Sequence, residues 1–240
     1  MPHLPAHLVG LARRLEVRAL ILLLGAGAAL WAFLFAADEV AEGETWNLDR
    51  RILLAFRVPG HPEDPVGPRV FEEAMRDVTA LGGFTVLTLI TVLTVAALLF
   101  YGQKRRALVF GAAVLLAEVS ADVTKVLVGR DRPDIVSHGS YTYSHSFPSG
   151  HSALSAVTFF TLAAILASLT TKKRAKTFVF AVATLIVVAI GLSRIYLGVH
   201  WPSDVLAGWT LGAAWALAAR VALGGLFKPN VPHREPTPSA

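Results

Sequence analysis

Six apolar runs, near residues 19–37, 81–101, 107–127, 152–170, 177–193 and 204–226, restrict this chain more than any other feature. Each comes close to the roughly 17–25 residues that a helix needs to cross about 30 Å of hydrocarbon. Inside a bilayer the backbone finds no water to bond, so spans of this kind are helices that satisfy their own polar groups. The expected fold class is therefore all-α: a polytopic membrane protein built as one six-span helical bundle over residues 1–228. The composition fits, with 54% hydrophobic and only 16% charged residues and a mean hydropathy of +0.56, far from the balance of a soluble domain. Residues 229–240 carry Pro232, Pro236 and Pro238 among polar neighbours. That tail has no apolar face to pack and is expected to be disordered.

Basic residues alternate with the spans. Arg13, Arg14 and Arg18 precede the first, Lys104, Arg105 and Arg106 separate the second from the third, Lys172, Lys173, Arg174 and Lys176 separate the fourth from the fifth, and Lys228 and Arg234 follow the sixth. By the positive-inside rule these ends are cytoplasmic, both termini included, and the remaining loops face the periplasm or the outside. The net charge of +5 comes partly from these topogenic residues, so no nucleic-acid partner is implied. The first run is longer than the roughly 7–15 residues of a signal-peptide core, which argues for an uncleaved span. The absence of cysteine excludes disulfides, cysteine metal sites and thiol catalysis.

The long outer loop, 38–80, has its own pattern. Trp46, Leu48, Ile52, Leu53 and Phe56 recur near a helical period, with Asp49, Arg50, Arg51 and Arg57 between them, as in a helix lying at an interface. Gly60, Pro62, Pro65, Gly67 and Pro68 break the chain. A second helix is expected from Arg69 into the second span, with Glu72, Glu73, Arg76 and Asp77 on its wet side. These pieces suit either a vestibule for a lipid head group or a pair of segments that seals the bundle.

Three polar fragments fall on the predicted outer side: Lys125 with Arg132-Pro133, then Pro148-Ser149-Gly150-His151, then Ser193-Arg194 with His200 and Asp204. Phosphoryl transfer spreads negative charge over three oxygens, and Arg and Lys side chains stabilise it. Lys125, Arg132 and Arg194 are the candidate clamp. Ser149 and Gly150 at a helix start add neutral donors, since the first N–H groups of a helix are unpaired. Two histidines suffice for transfer through the enzyme, one to attack phosphorus and one to protonate the leaving oxygen. Asp204 lies one helical turn after His200, placed to hold one ring nitrogen as N–H and leave the other free to attack. That makes His200 the nucleophile and His151 the acid. Alone, each fragment also reads as a snorkelling lysine, a loop-to-helix junction or a helix end; their order and common side argue otherwise.

Lys125-x6-Arg132-Pro133, Pro148-Ser149-Gly150-His151 and Ser193-Arg194-x5-His200-x3-Asp204 together resemble the three-part signature of the type 2 phosphatidic acid phosphatase family, over residues 125–204. The resemblance implies a metal-independent lipid phosphatase in a bacterial inner membrane, working through a phosphohistidine and without a cofactor or bound metal. It assigns His200 as nucleophile, Asp204 as its partner, His151 as general acid, and Lys125, Arg132, Ser149, Gly150 and Arg194 as phosphate binders. The implied partners are the bilayer and a phosphorylated lipid of the undecaprenyl pyrophosphate, phosphatidylglycerophosphate or phosphatidic acid type. Alternatives are a phosphotransferase with an acceptor other than water and a carrier that binds lipid phosphate without cleaving it. Glu118 and Asp122, inside the third span, need pairing or hydration; Arg130 is a candidate for a second phosphate, and Tyr141, Tyr143 and His145 for interface aromatics or head-group contacts.

Overall fold

A computed structural model describes residues 6–136 and 144–224. Among them the chain forms α1 (Ala6–Ala41), α2 (Trp46–Ala55), α3 (Arg69–Ala80), α4 (Phe84–Phe100), α5 (Lys104–Val128), α6 (Gly150–Ser168), α7 (Lys173–Tyr196) and α8 (Pro202–Gly224). The expected tail, 229–240, and Tyr141 and Tyr143 lie outside the described residues.

Helices α1, α5, α6, α7 and α8 are each long and apolar enough to cross a membrane. Helix α4 has 17 residues and at 1.5 Å per residue reaches only about 26 Å. Together with α3, from which it is bent by 41°, it forms a candidate sixth span. The helix expected to run unbroken from Arg69 into this span therefore stops, at Leu81-Gly82-Gly83. Two adjacent glycines weaken a helix by roughly 1 kcal/mol each, and packing uses the break: a Cβ on Gly82 would stand 3.4 Å from His151 Cδ2 and would overlap Ile190.

The outer loop also forms an antiparallel ribbon, β1 (Arg57–Val58) with β2 (His61–Pro65). Val58 pairs with His61, which leaves Pro59-Gly60 as the turn. Proline presets the first central position and Gly60, at φ +83°, takes the second, the requirement of a type II turn. Of the residues read from sequence as chain breakers, Gly60 is thus in the corner of a small hairpin and Pro62 and Pro65 lie in its second strand.

Helices α6 and α8 share the most extensive interface, followed closely by α1 with α8. Small residues make the first possible. A Cβ on Gly208 would meet Ser149 O at 2.6 Å and Ser152 Cβ at 2.7 Å, so the two backbones touch where any side chain would separate them. Gly25 of α1 faces Leu217. Gly25, Gly208 and Gly212 are thus packed against other helices of the same chain. At one end of the bundle Arg105, at the start of α5, donates to Ala222 O near the end of α8 (3.2 Å). At the other end the Ser149 N–H, just before α6, donates to Asp204 O in the first turn of α8 (3.0 Å). The basic loops and the polar signature therefore occupy opposite ends.

Gly208→Val is expected to lower the melting temperature in detergent and abolish activity, because overpacking typically costs about 1–3 kcal/mol and this site adjoins Ser149. Gly27→Ala, where a Cβ meets nothing within 4 Å, serves as the control and is expected to melt no lower than wild type.

Candidate active site

Helix α5 ends where Gly129 adopts a left-handed conformation, φ 62°, and returns its N–H to Lys125 O. That C-cap satisfies a terminal carbonyl and turns the chain into the segment bearing Arg130 and Arg132. Lys125, in the last turn, leans over the start of α6. Its Nζ would lie 3.3 Å from a Cβ on Gly150, so the glycine admits the ammonium to the helix N-terminus. Lys125 also pairs with Asp122 Oδ1 (2.9 Å), whose side chain is 64% exposed. The intramembrane carboxylate of Asp122 is thus neutralised by its neighbour. Glu118 lines a separate cavity of about 150 Å³ between α4, α5 and α6.

Ser149 is the N-cap of α6. Its Oγ accepts from the N–H and hydroxyl of Ser152, and its own N–H is committed to Asp204 O. Of the predicted neutral donors, the backbone of Ser149 is therefore used in joining the two helices. The N–H groups opening the helix, those of Gly150 and His151, have no intrahelical partner by geometry and point toward negative charge.

The segment between α7 and α8 carries His200, which is buried together with Asp204. His200 Nδ1 lies 3.3 Å from Asp204 Oδ2 and 3.4 Å from Ser146 Oγ. On the other side, Arg132 Nη1 lies 3.2 Å from His200 Nε2. Guanidinium only donates, so Nε2 is the acceptor and holds its lone pair, while Nδ1 carries the proton that Asp204 receives. The tautomer needed for attack through Nε2 follows from the two neighbours. Arg132 is further tied to Val199 O (2.6 Å) and Ser144 O (2.8 Å). Burial pulls its guanidinium below the ordinary arginine value, with Asp204 opposing; from so high a starting point it remains a cation.

Asp204 is fully buried. Its Oδ2 accepts from the Trp201 N–H (2.9 Å) and the Ser146 hydroxyl, and its Oδ1 accepts from Arg130 Nη1 (2.6 Å). Arg194, near the end of α7 and 3% exposed, donates through Nη1 to Thr79 Oγ1 of α3 (3.0 Å). Its Nε has no partner among the described residues. A buried donor of this kind normally finds an acceptor, and a phosphoryl oxygen is a fitting one. His151 feels the charges of Arg194, Lys125 and Arg132 and that of His200, so the eight residues singled out from sequence gather at one end of the bundle.

Sequence reasoning missed five contributors: Asp49, Thr79, Gly82, Arg130 and Ser146. Arg130 had been a candidate for a second phosphate, but both its Nη atoms are engaged by protein groups, Asp204 and Ser203 on one and Asp49 and Thr45 on the other. Asp49 and Arg57 fell among the charged positions of an interfacial pattern, yet they are 2% and 4% exposed. Asp49 is matched by Arg130, and Arg57 donates to the carbonyls of Phe56 and Tyr196. No periodicity reports such partners. His145 is exposed, and its carbonyl accepts from Arg132 Nη2 (3.4 Å).

Comparison with known proteins accords with this constellation. The family model described as the PAP2 superfamily matches residues 106–227, and the chain belongs to that superfamily. Phosphatidylglycerophosphatase B of Bacillus subtilis is 37% identical over 147 residues, covering 58% of this chain and 69% of the relative. An undecaprenyl-diphosphatase of Sulfolobus acidocaldarius is 29% identical over 125 residues, covering 50% of this chain and 56% of the relative. A crystal structure of a transmembrane PAP2-type phosphatidylglycerolphosphate phosphatase from Bacillus subtilis superposes with a TM-score of 0.73 at 28% identity, covering 81% of this chain and 94% of that one. These relatives are lipid phosphatases, and the apolar helices together with them mark this chain as an integral membrane protein.

Burial, reinforced by the nearby charges of Arg194 and Arg132, pulls His200 down to about 4 despite the opposing Asp204. If His200 attacks as the nucleophile it must be unprotonated, and the acid limb of kcat/KM is then expected to inflect near pH 4. A profile measured from acid to neutral pH, corrected for the substrate's own titration, checks this; an enzyme inflection at the ordinary histidine value of about 6.5 would contradict it.

Proposed function

We propose that this protein hydrolyses a phosphorylated membrane lipid through a phosphohistidine, with His200 Nε2 attacking phosphorus and His151 protonating the departing oxygen. The observation that carries the reading is the position of His200, its Nδ1 on Asp204 and its Nε2 beside Arg132, next to a buried Arg194 whose Nε lacks a partner among the described residues. When a phosphoryl group enters, Arg132, Arg194, Lys125 and the N–H groups opening α6 bind its oxygens, and Arg132 leaves Nε2 for them. The P–O bond to the lipid breaks as the N–P bond forms. His151, now unprotonated, takes a proton from water as the water oxygen attacks phosphorus, and phosphate leaves with His200 restored. The same residue acts as acid and then base, as microscopic reversibility allows.

The relatives' activities make phosphatidylglycerophosphate the first substrate to test and undecaprenyl pyrophosphate the second. Beside Arg132 a cavity of about 460 Å³, bordered by Thr45, Trp46, Arg130, Asp134 and Trp201, offers space for a head group, which favours the vestibule role for the outer loop. The basic loops at the opposite end of the bundle support an outward-facing site with cytoplasmic termini, in a bacterial inner membrane.

The test is phosphate release by purified protein in detergent with a chelator present. Wild type is expected to release phosphate from at least one of the two lipids and to be inhibited by vanadate, a phosphate mimic. His200→Ala and His151→Ala are each expected to lose nearly all activity, on the order of 1,000-fold or more for a residue that makes or protonates the breaking bond. In labelled water the released phosphate should carry the label. Its absence would point instead to transfer to another acceptor, and strict dependence on a chelatable metal would overturn the mechanism.

A further inference from the structure

We infer that Asp49, acting through Arg130, is a positioning residue for the His200 nucleophile. The inference rests on the function proposed above and adds to it a residue from the outer loop, 151 positions from His200 in sequence and on a helix that contributes none of the signature.

The chain of contacts is continuous. Asp204 presents Oδ2 toward His200 Nδ1, and its other oxygen, Oδ1, receives Arg130 Nη1 at 2.6 Å. The second arm of the same fork, Arg130 Nη2, donates to Asp49 Oδ2 at 2.7 Å and to Thr45 Oγ1 at 3.2 Å. Asp49 also accepts from the Ser203 N–H through Oδ1 (2.8 Å) and from the Ser203 hydroxyl through Oδ2 (2.6 Å). The guanidinium carbon lies 5.5 Å from the Trp201 ring centroid, and Trp201 in turn packs against Trp46 of α2 with ring centroids 5.0 Å apart. Arg130 is thus a planar cation with a carboxylate at each end and an aromatic ring beside it.

Two consequences follow from this geometry. A carboxylate bonded at one oxygen can still rotate; Asp204, held at Oδ1 by Arg130 and at Oδ2 by the Trp201 N–H, cannot, and the direction of its bond to His200 is set. Because Arg130 is always charged and its donors lie in one plane, its orientation depends on the second carboxylate. Asp49 fixes it from α2 while also capping the first turn of α8, whose unpaired N–H groups favour an anion. A residue that orients the base or nucleophile through a second group acts on turnover more than on substrate binding, since a small misplacement of a reacting group can lower the rate about 100-fold.

Asp49→Asn isolates the link. The amide oxygen can still accept from the Ser203 N–H, keeping the helix cap, but its NH2 group faces Arg130, which has no acceptor to offer. In purified protein with an unchanged melting temperature, kcat is expected to fall on the order of 10- to 100-fold while KM stays within about 3-fold. Asp49→Glu is expected to recover part of kcat. Arg130→Lys supplies an independent reading should Asp49→Asn fail to fold: the ammonium keeps the charge but cannot bridge both carboxylates in a plane, and kcat should fall in the same way. The inference is overturned if either folded variant keeps kcat within about 2-fold of wild type, or if the loss appears in KM alone. It is also overturned if activity per folded molecule is normal and only the melting temperature drops. His200→Ala, assayed alongside, separates the two levels: activity that survives it removes the underlying mechanism, whereas an inactive His200→Ala with an active Asp49→Asn removes only the role of Asp49.

Discussion

The backbone contact between α6 and α8 is the constraint on which the site depends. In a bilayer, helices gain little from hiding apolar surface from one another, since lipid is equally apolar, and close van der Waals packing has to supply the attraction. Gly208, facing Ser149 and Ser152, and Gly212, facing Ala153 and Ala156, let the two helices touch along about a turn. That contact brings together the first turns of both helices, so that the Ser149 N–H can reach Asp204 O. His151 and the His200–Asp204 pair are thereby held at one end of the bundle without any loop having to be long or precise.

Around that contact the protein concentrates positive charge in a place where charge is unfavourable. Lys125, Arg130, Arg132 and Arg194 converge there, and their nearest carboxylates are Asp122, Asp49 and Asp204. Burying a cation costs several kcal/mol unless hydrogen bonds and opposite charge offset it. Arg130 is fully offset by two carboxylates. Arg132 is satisfied chiefly by carbonyls and by His200, and Arg194 by Thr79 with one donor over. The cations with least compensation are therefore those nearest His200, where the proposed phosphoryl group would complete the balance. Burial, helped by the charges of Arg194 and Arg132, lowers the histidine's affinity for a proton.

The α3–α4 elbow closes the site from another side. Thr79 holds Arg194 and Gly82 lies against His151, so a break in one helix supports both of these residues.

The sequence alone determined that the chain crosses a membrane as helices, because lipid permits few other answers for runs of that length and apolarity. It also singled out eight residues that the fold brings to one end of the bundle, because a tetrahedral anion and two proton transfers call for particular chemical groups, and those groups recur here in three short fragments, each local enough to be recognised. What only the tertiary structure decided was the role of residues whose partners are distant in sequence. Arg130 looked like a phosphate ligand and is committed to Asp49 and Asp204; Asp49 and Arg57 matched an interfacial helix and are buried; Ser149 spends its N–H on α8. The spacing of residues along a helix reports which face they share, but whether a charge on that face meets water or a counter-charge depends on which helix arrives opposite it, and that is settled only when the bundle packs.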